Sequence, residues 1–281
     1  MKLVQITDTH ISHLGGSPSE NARLFVQFID ELAPDIVVHT GDVTILDPDE
    51  DRDRVAAKEI LAGISAPMRV LPGNHDVGEP GDDPFGDRPV TSERIAAFRA
   101  HFGIDRFVEI VDGWAVVGLN SELFDSGLPE EEEQWAWIET LPELVGPRPV
   151  ALFTHKPIWA HTPEHQNTHL TVGPDSLPRL EAVLAELDVR AFGSGHLHRY
   201  AVTERDGAVV VSAPSTAFVH RSAVSADVIG PGLTQLGVVE YELDERVLPL
   251  FRAPLGIVEP EFLEVEQARI ALDAMGVVLP A

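Results

Sequence analysis

The sequence predicts an α/β fold, and three patterns along the chain support this prediction. Before Leu71, short apolar runs alternate with amphipathic helical patterns, and each apolar run ends in a cluster of polar residues. After Tyr200 the pattern changes to period-two alternation, which is typical of antiparallel strands. Order and periodicity alone therefore predict one parallel sheet with an antiparallel addition.

The first half of the chain supplies the parallel strands. Strands are predicted at 3–6, 36–38 and 68–71, with helices at 20–32 and 51–64 between them. Parallel sheets of this kind bind ligands beyond the carboxyl ends of their strands. A loop rich in Gly, Pro and Asp follows at 78–90, and we expect it to form a rim or lid at that edge.

The rest of the chain is assigned from the same signals. Thr91 or Ser92 is the expected N-cap of the next helix, and Asp112-Gly113 is the expected turn of a hairpin. The predicted elements are a helix at 91–102, hairpin strands at 107–111 and 114–119, a helix at 129–141, a strand at 149–153, a loop at 157–173, a helix at 177–187, a strand at 189–192, period-two strands at 200–204, 208–211, 236–243 and 247–251, and a terminal helix at 267–275.

Composition excludes several classes of function. The 281 residues include 46 acidic and 20 basic ones, a net charge of -26, and no cysteine. Disulfides and thiolate metal sites are thus excluded, and the acidic field repels nucleic acid polymers. The acidic residues are expected to form a solvated surface. We find neither a signal-peptide core nor an apolar stretch of membrane length, so we expect a cytoplasmic protein with no membrane partner.

The polar clusters at the strand ends carry the residue types of a metal site. Carboxylate, imidazole and amide ligands together suit divalent Mn, Fe, Co or Zn. In Asp8-x-His10 and His196-x-His198, residues two apart point the same way if the segment is extended. Two neighbouring metals need a shared anionic ligand, and Asp42 is the natural bridge. The full set is Asp8, His10, Asp42, Asn74, His75, His155, His196 and His198.

Taken together, these motifs resemble the calcineurin-like metallophosphoesterase superfamily. The resemblance covers residues 1–215 through Asp8-x-His10, Gly41-Asp42, Gly73-Asn74-His75-Asp76, His155 and Gly195-His196-x-His198. The size of the chain and its Glu133-Gln134-Trp135 segment make it similar to the class III cyclic nucleotide phosphodiesterases and related glycerophosphodiesterases.

The resemblance implies a four-layer αββα sandwich of two mixed sheets flanked by helices, with the period-two strands after Tyr200 in the second sheet. It implies a catalytic domain at 1–255 and a C-terminal extension at 256–281 that packs on the domain or forms a contact in a homo-oligomer, a dimer or higher. It also implies two divalent cofactor ions, Mn²⁺, Fe²⁺/Fe³⁺ or Zn²⁺. One ion would be bound by Asp8, His10, Asp42 and His198, and the other by Asp42, Asn74, His155 and His196.

The implied activity is hydrolysis of small phosphodiesters, either 3′,5′-cyclic nucleotides or glycerophosphodiesters, by a metal-bound hydroxide. Asn74 and His75 would bind substrate, with His75 facing its phosphate as a general acid or electrostatic stabiliser. Asp76 either orients His75 or is an ordinary turn residue. Three loop histidines are further candidate substrate contacts: His161, His165 and His169.

Other functions stay open at this point. A phosphomonoesterase or protein phosphatase uses the same metals, and a non-catalytic metal-binding scaffold retains the same fold. The presence of His75 counts against the scaffold, and the acidic charge counts against a nuclease. Outside the site, His39 is expected to be buried and His101 to lie on the surface.

Overall fold

Two β-sheets pack face to face in the computed structural model, which describes residues 1–81, 88–221 and 223–274. The first sheet has the strand order β11-β10-β1-β2-β3, and the second has the order β4-β5-β6-β7-β9-β8. The strands are β1 (Lys2–Ile6), β2 (Ile36–Thr40), β3 (Met68–Leu71), β4 (Phe107–Val111), β5 (Trp114–Gly118), β6 (Pro149–Phe153), β7 (Asp188–Ser194), β8 (Ala201–Arg205), β9 (Ala208–Ser212), β10 (Val238–Leu243) and β11 (Val247–Arg252).

Helices cover the outer face of each sheet and complete four layers. One apolar cluster joins the first sheet to its helices, a second joins the other sheet to its own helices, and a third fills the space between the sheets. The helices are α1 (Ser17–Leu32), α2 (Asp51–Leu61), α3 (Asn74–Val77), α4 (Ser92–Phe102), α5 (Pro129–Ile138), α6 (Leu141–Val145), α7 (Leu177–Leu184), α8 (Ala223–Ile229) and α9 (Glu266–Ala274).

The predicted four-layer sandwich of two mixed sheets is confirmed. Strands β1, β2 and β3 are parallel, as are β5, β6, β7 and β9, and antiparallel strands lie at the sheet margins. The single parallel sheet predicted from order alone is wrong, because the chain begins a second sheet at β4. Alternation defines a strand but not its partner, so the local pattern could not separate the two sheets.

The placement of the period-two strands also needs correction. Strands β8 and β9 do belong to the second sheet, but β10 and β11 return to the first, where β10 pairs antiparallel with β1. Lys2 lies opposite Glu242 in this pairing, although most of the chain separates these two residues in sequence. The N-terminal strand and the two C-terminal strands therefore lie in the same sheet.

Several element ends differ from prediction for local reasons. The helix predicted at 129–141 stops at Ile138, and a short α6 begins at Leu141 with Pro142 in its first turn. The hairpin across Asp112-Gly113 and the Thr91 cap of α4 are observed. Of the predicted 78–90 loop, residues 82–87 lie outside the described residues, as does Met275 of the predicted terminal helix.

The described part of the C-terminal extension packs on the sandwich. Val265, Ala268 and Ala271 are buried in one apolar cluster with Ile45 and Phe218. The domain boundary at 255 and an oligomer contact in 256–281 stay predictions. Within the described ranges, no helix has both the length and the apolar character that a membrane span requires.

Candidate active site

The predicted metal ligands meet at the carboxyl ends of the parallel strands. β1 leads to Asp8 and His10, β2 to Asp42, and β3 to Asn74. From the second sheet, β6 leads to His155 and β7 to His196 and His198. Both sheets thus deliver side chains to one edge of the sandwich, as expected for ligands beyond strand ends.

The ligands form two groups that share Asp42. Potential ligand atoms of Asp8, His10, Asp42 and His198 lie within 4.8 Å of one another, and so do those of Asp42, His155 and His196. In the first group, Nε2 of His198 is 3.2 Å from Oδ1 of Asp8 and 3.1 Å from Nε2 of His10. In the second, Nε2 of His155 is 3.4 Å from Oδ1 of Asp42. This is the arrangement predicted for a bridged pair of ions.

Asn74 lies with the second group. Its Oδ1 is 3.2 Å from Nε2 of His155. The other ring nitrogen of His155 donates to the carbonyl oxygen of Thr40 at 2.7 Å, and Nδ1 of His198 faces the carbonyl of Phe218 at 3.1 Å. Carbonyl partners of this kind fix the ring orientation of metal-binding histidines and leave Nε2 directed to the metal.

The buried charges fit divalent cations. Burial opposes ionisation of Asp8 and Asp42, but His198 lowers the pKa of Asp8, and His155 lowers the pKa of Asp42 well below its usual range. Burial lowers the pKa of His10 and that of His196, so both rings are neutral and have a lone pair to offer. Two carboxylates and two neutral imidazoles form a metal-binding donor set.

Unpaired buried atoms and the charge on His155 support the same fit. Nδ1 of His196 is buried without a hydrogen-bond partner among the described residues, and Oδ1 of Asp8 has the ring nitrogen of His198 near it, at 3.2 Å but outside hydrogen-bond geometry. Such groups are costly unless a ligand satisfies them. Burial disfavours a charge on His155, yet Asp42 raises its pKa to about 10. The carboxylate of Asp42 therefore favours a positive charge beside it.

The backbone at the ligands is strained. Nine non-glycine residues in the described ranges have positive φ, and five of them are Asp8, His10, Asp42, His196 and His198, with φ between 42° and 69°. The left-handed conformation costs roughly 1–2 kcal/mol per residue. The extended geometry assumed for Asp8-x-His10 and His196-x-His198 is therefore wrong, although both members of each pair reach the site.

Close approach of the loops requires glycine at two positions. A Cβ at Gly73 would collide with Asp42 and His155, and one at Gly195 would collide with Thr7 and Asp8. Because any larger residue would push the ligand loops apart, both glycines hold the two groups at bridging distance.

His75 and Asp76 differ in what they contact. The His75 ring lies beside His10, with ring centroids 4.9 Å apart, and its Nδ1 donates to the carbonyl oxygen of Ile45 at 3.1 Å. Asp76 was predicted to orient His75 or to be a turn residue. Its carboxylate accepts a hydrogen bond from the amide of Gly73 within the same turn, as the second alternative expects, and two more from the amides of Val43 and Thr44. Asp76 thus joins the loop after β2 to the loop after β3.

The cavity over the ligands has a volume of about 680 Å³ and is lined by His75, His165 and His169 among others. His161 was the third candidate loop histidine, but it lines a separate cavity bounded by Trp159 and Arg205. His169 also uses its carbonyl oxygen to accept a hydrogen bond from Nε2 of His196, at 2.9 Å. As predicted, His39 is fully buried.

A buried ion-pair network borders this cavity, and its member Glu79 is one of the lining residues. The Lys156 ammonium is 2.5 Å from Oε2 of Glu79 and 2.7 Å from Oε2 of Glu122, and it donates to the carbonyl oxygen of Thr168 at 2.7 Å. All three charged side chains are buried. Sequence reasoning missed this network, as it missed the cavity residues Phe218 and Phe262, because the partners are distant in sequence and each is ordinary by itself.

The site and the fold agree with a sequence comparison. A model of the calcineurin-like phosphoesterase family matches residues 1–200. The chain belongs to this family. It is a dinuclear metallophosphoesterase, and the buried carboxylates and imidazoles of the two ligand groups fit a divalent-metal site.

Individual relatives agree with the family. The chain is 26% identical over 274 residues to a probable glycerophosphodiester phosphodiesterase GpdQ of Arcobacter nitrofigilis, covering 91% of this chain and 94% of the relative. It is 23% identical to the 3′,5′-cyclic adenosine monophosphate phosphodiesterase CpdA of Haemophilus influenzae, covering 84% and 85%. A dimetal phosphatase from Danio rerio has the same fold, with a TM-score of 0.61 and 14% identity over 92% of this chain and 97% of that one.

Proposed function

We propose that this protein hydrolyses small phosphodiesters, of which 3′,5′-cyclic nucleotides and glycerophosphodiesters are the candidates. The observation that carries the proposal is the pair of ligand groups sharing Asp42, with His75 beside them in a cavity of about 680 Å³. The two relatives found by sequence, GpdQ and CpdA, have the names of phosphodiesterases, which supports a diester as the substrate. A cavity of this volume suits a small molecule rather than a polymer.

In this proposal, Asp8, His10, Asp42 and His198 hold one ion, and Asp42, Asn74, His155 and His196 hold the other. When bound, divalent ions supply Lewis-acid polarisation of a phosphoryl oxygen and a nucleophile from water at neutral pH. Mn²⁺, Fe²⁺/Fe³⁺ and Zn²⁺ all suit this mixture of carboxylate and imidazole.

The proposed role of His75 follows from its hydrogen bond. Because the carbonyl of Ile45 accepts from Nδ1, Nε2 is the nitrogen left for substrate. A proton on Nε2 lets His75 donate to the phosphoryl or leaving oxygen. Asn74 completes the substrate edge with its amide, while its Oδ1 faces the metal group. Asp76 acts by holding the two loops together rather than by contacting substrate.

A metal-reconstitution assay tests the proposal. Metal-stripped protein should not hydrolyse bis-p-nitrophenyl phosphate, and added Mn²⁺ should restore turnover. The matched monoester, p-nitrophenyl phosphate, should react more slowly; faster turnover of the monoester would favour a phosphomonoesterase. Activity that survives thorough chelation would refute the metal mechanism.

His75→Ala separates an enzyme from a metal-binding scaffold. The substitution should lower kcat by about 10²–10⁴-fold, the usual contribution of a general acid, while metal content stays unchanged. His101→Ala is the matched control, because it is the same substitution at a histidine that contacts Asp51 at the surface of α4 and does not line the cavity. An unchanged rate in His75→Ala would remove the proposed role.

Localisation and assembly also stay proposals. We propose a cytoplasmic protein with a small-molecule substrate and no nucleic acid polymer partner. Light scattering on the purified protein checks the predicted homo-oligomer; a monomer at all accessible concentrations would contradict it.

A further inference from the structure

The C-terminal segment forms one wall of the cavity. Phe262, in a 3₁₀ turn at Phe262–Glu264, and Leu272, in α9, both line the cavity over the metal groups. The backbone of this turn is fixed to the sandwich, because the amide of Phe262 donates to the carbonyl of Val219 at 2.9 Å. The wall is therefore part of the packed structure.

A row of rings connects this wall to the metal ligands. The ring of Phe218 stacks on His10 with centroids 4.7 Å apart and an interplanar angle of 25°. Phe262 follows at 5.1 Å from Phe218, and His220 lies 5.6 Å from Phe262. A substrate whose phosphate lies at the ligands thus has an apolar ring surface within reach of its ester group.

The shape of this surface determines which kind of ester group of the substrate it can bind. Phe218 is only 3% exposed, so of the two phenylalanines Phe262 presents the accessible ring, and the aliphatic side chains of Val224 and Leu272 line the same cavity. A cation such as choline is recognised by a cage of several aromatic faces. The ring of Phe262, with the imidazole of His220 5.6 Å away and aliphatic side chains in the same cavity, is instead a wall for a flat, apolar group, which gains by stacking. The hydroxyls of a glycerol group find no hydrogen-bond partner on an apolar surface, so this wall does not favour glycerol diesters.

We propose that Phe262 is a specificity-determining residue, and that the preferred diester has a flat aromatic group, a nucleobase or an aryl alcohol. The inference rests on the proposed diesterase function and narrows the class of diester that it acts on. The phosphate lies at the metal groups and the aromatic group stacks on Phe262.

The test compares Phe262→Ala and Phe262→Leu with Leu263→Ala in the Mn²⁺-reconstituted protein. Leu263 is the matched control because it occupies the same 3₁₀ turn, is 48% exposed and does not line the cavity. The substrates are 3′,5′-cyclic AMP, methyl p-nitrophenyl phosphate and sn-glycero-3-phosphocholine. Phe262→Leu keeps the apolar packing and removes only the flat face, so it remains informative if Phe262→Ala folds poorly.

Wild type should prefer the two aromatic diesters. In both Phe262 variants, kcat/KM for these should fall about 10-fold, as expected for the loss of one stacked ring, while the glycerol diester changes less than about twofold. Leu263→Ala should change neither. If kcat/KM falls for cyclic AMP alone, the wall binds nucleobases. If it falls for both aromatic diesters, the wall binds aromatic groups in general.

Two further outcomes are distinguishable. If metal-loaded wild type hydrolyses none of the three diesters, the proposed function itself fails. If wild type hydrolyses them but prefers the glycerol diester, or if Phe262→Leu lowers all three rates equally, the specificity wall is refuted while the diesterase function stands.

Discussion

Replacing Lys156 with Met should destabilise the protein strongly, because it leaves two carboxylates buried without their cation. The Lys156 ammonium makes two charge-assisted contacts, at 2.5 Å to Glu79 and 2.7 Å to Glu122, and donates to the carbonyl oxygen of Thr168. At about 1.5–3 kcal/mol for each charge-assisted hydrogen bond, the two contacts account for about 3–6 kcal/mol. Removal of one partner from other buried ion pairs costs about 3–5 kcal/mol, which agrees.

The free energy of unfolding is measured by urea titration of both proteins in the same metal-containing buffer. Lys58→Met is the matched control, because Lys58 is exposed and the substitution is the same; it should change stability by less than about 0.5 kcal/mol. A Lys156→Met variant within about 1 kcal/mol of this control would refute the reasoning, since the two carboxylates would then not depend on the ammonium.

The pH dependence provides a second check on the same variant. Burial opposes ionisation of Glu79, but Lys156 lowers its pKa to about 2 from 4.5. A lowered folded-state pKa stabilises wild type above pH 4.5, and that contribution is lost as the pH falls toward 2. Without the ammonium, Glu79 retains, among the described residues, only the His169 ring, 3.5 Å from its Oε1, as a direct contact that lowers its pKa. Burial then raises the pKa of both carboxyls, so protonation relieves their charge. The deficit of Lys156→Met should therefore shrink between about pH 8 and about pH 5; a constant or growing deficit would contradict this account.

Four more substitutions test the site and the core. Asp42→Ala should lose both ions, whereas His198→Ala should retain one, as measured by elemental analysis; equal losses would contradict a bridging Asp42. Asp76→Ala leaves three backbone amides unpaired and should cost at least about 3 kcal/mol in urea titration, and a near-neutral result would exclude its role in joining the loops. Tyr241→Phe removes the buried hydroxyl that donates to Gln5 at 2.7 Å and should cost about 1–2 kcal/mol; no measurable loss would show that water replaces the hydroxyl.

The sequence predicts the strands and their polar ends well, because both signals are local. A parallel strand buried on both faces is a continuous apolar run, and β6 (Pro149–Phe153) is found with the predicted bounds. Strand pairing is not local. The return of β10 to β1 depends on a register between Lys2 and Glu242 that no pattern within either strand specifies.

The same distinction applies to the cavity. His75 and Asn74 are identified by a motif, whereas Phe218 and Phe262 have no motif and reach the cavity only because their segments pack beside the metal groups. The Lys156 network is invisible for the same reason, since Glu79 and Glu122 come from separate loops.

The metal ligands show why even a correct list of residues does not give the geometry. The prediction placed Asp8 and His10 on an extended segment, but both are left-handed. That conformation is maintained by partners on another loop, since the amide of Asp8 donates to Gly41 at 2.9 Å and that of His10 donates to Asp42 at 3.0 Å. The amide of His196 donates in turn to the Asp8 carboxylate at 3.1 Å.

The loops therefore hold one another in a strained arrangement that none of them would adopt alone. Buried carboxylates held at this spacing repel each other, and burial opposes their charge. Cations relieve both costs, so metal binding and folding at this edge of the sandwich are coupled. The unfolding temperature should accordingly rise on Mn²⁺ addition to stripped protein, and this rise should be lost in Asp42→Ala.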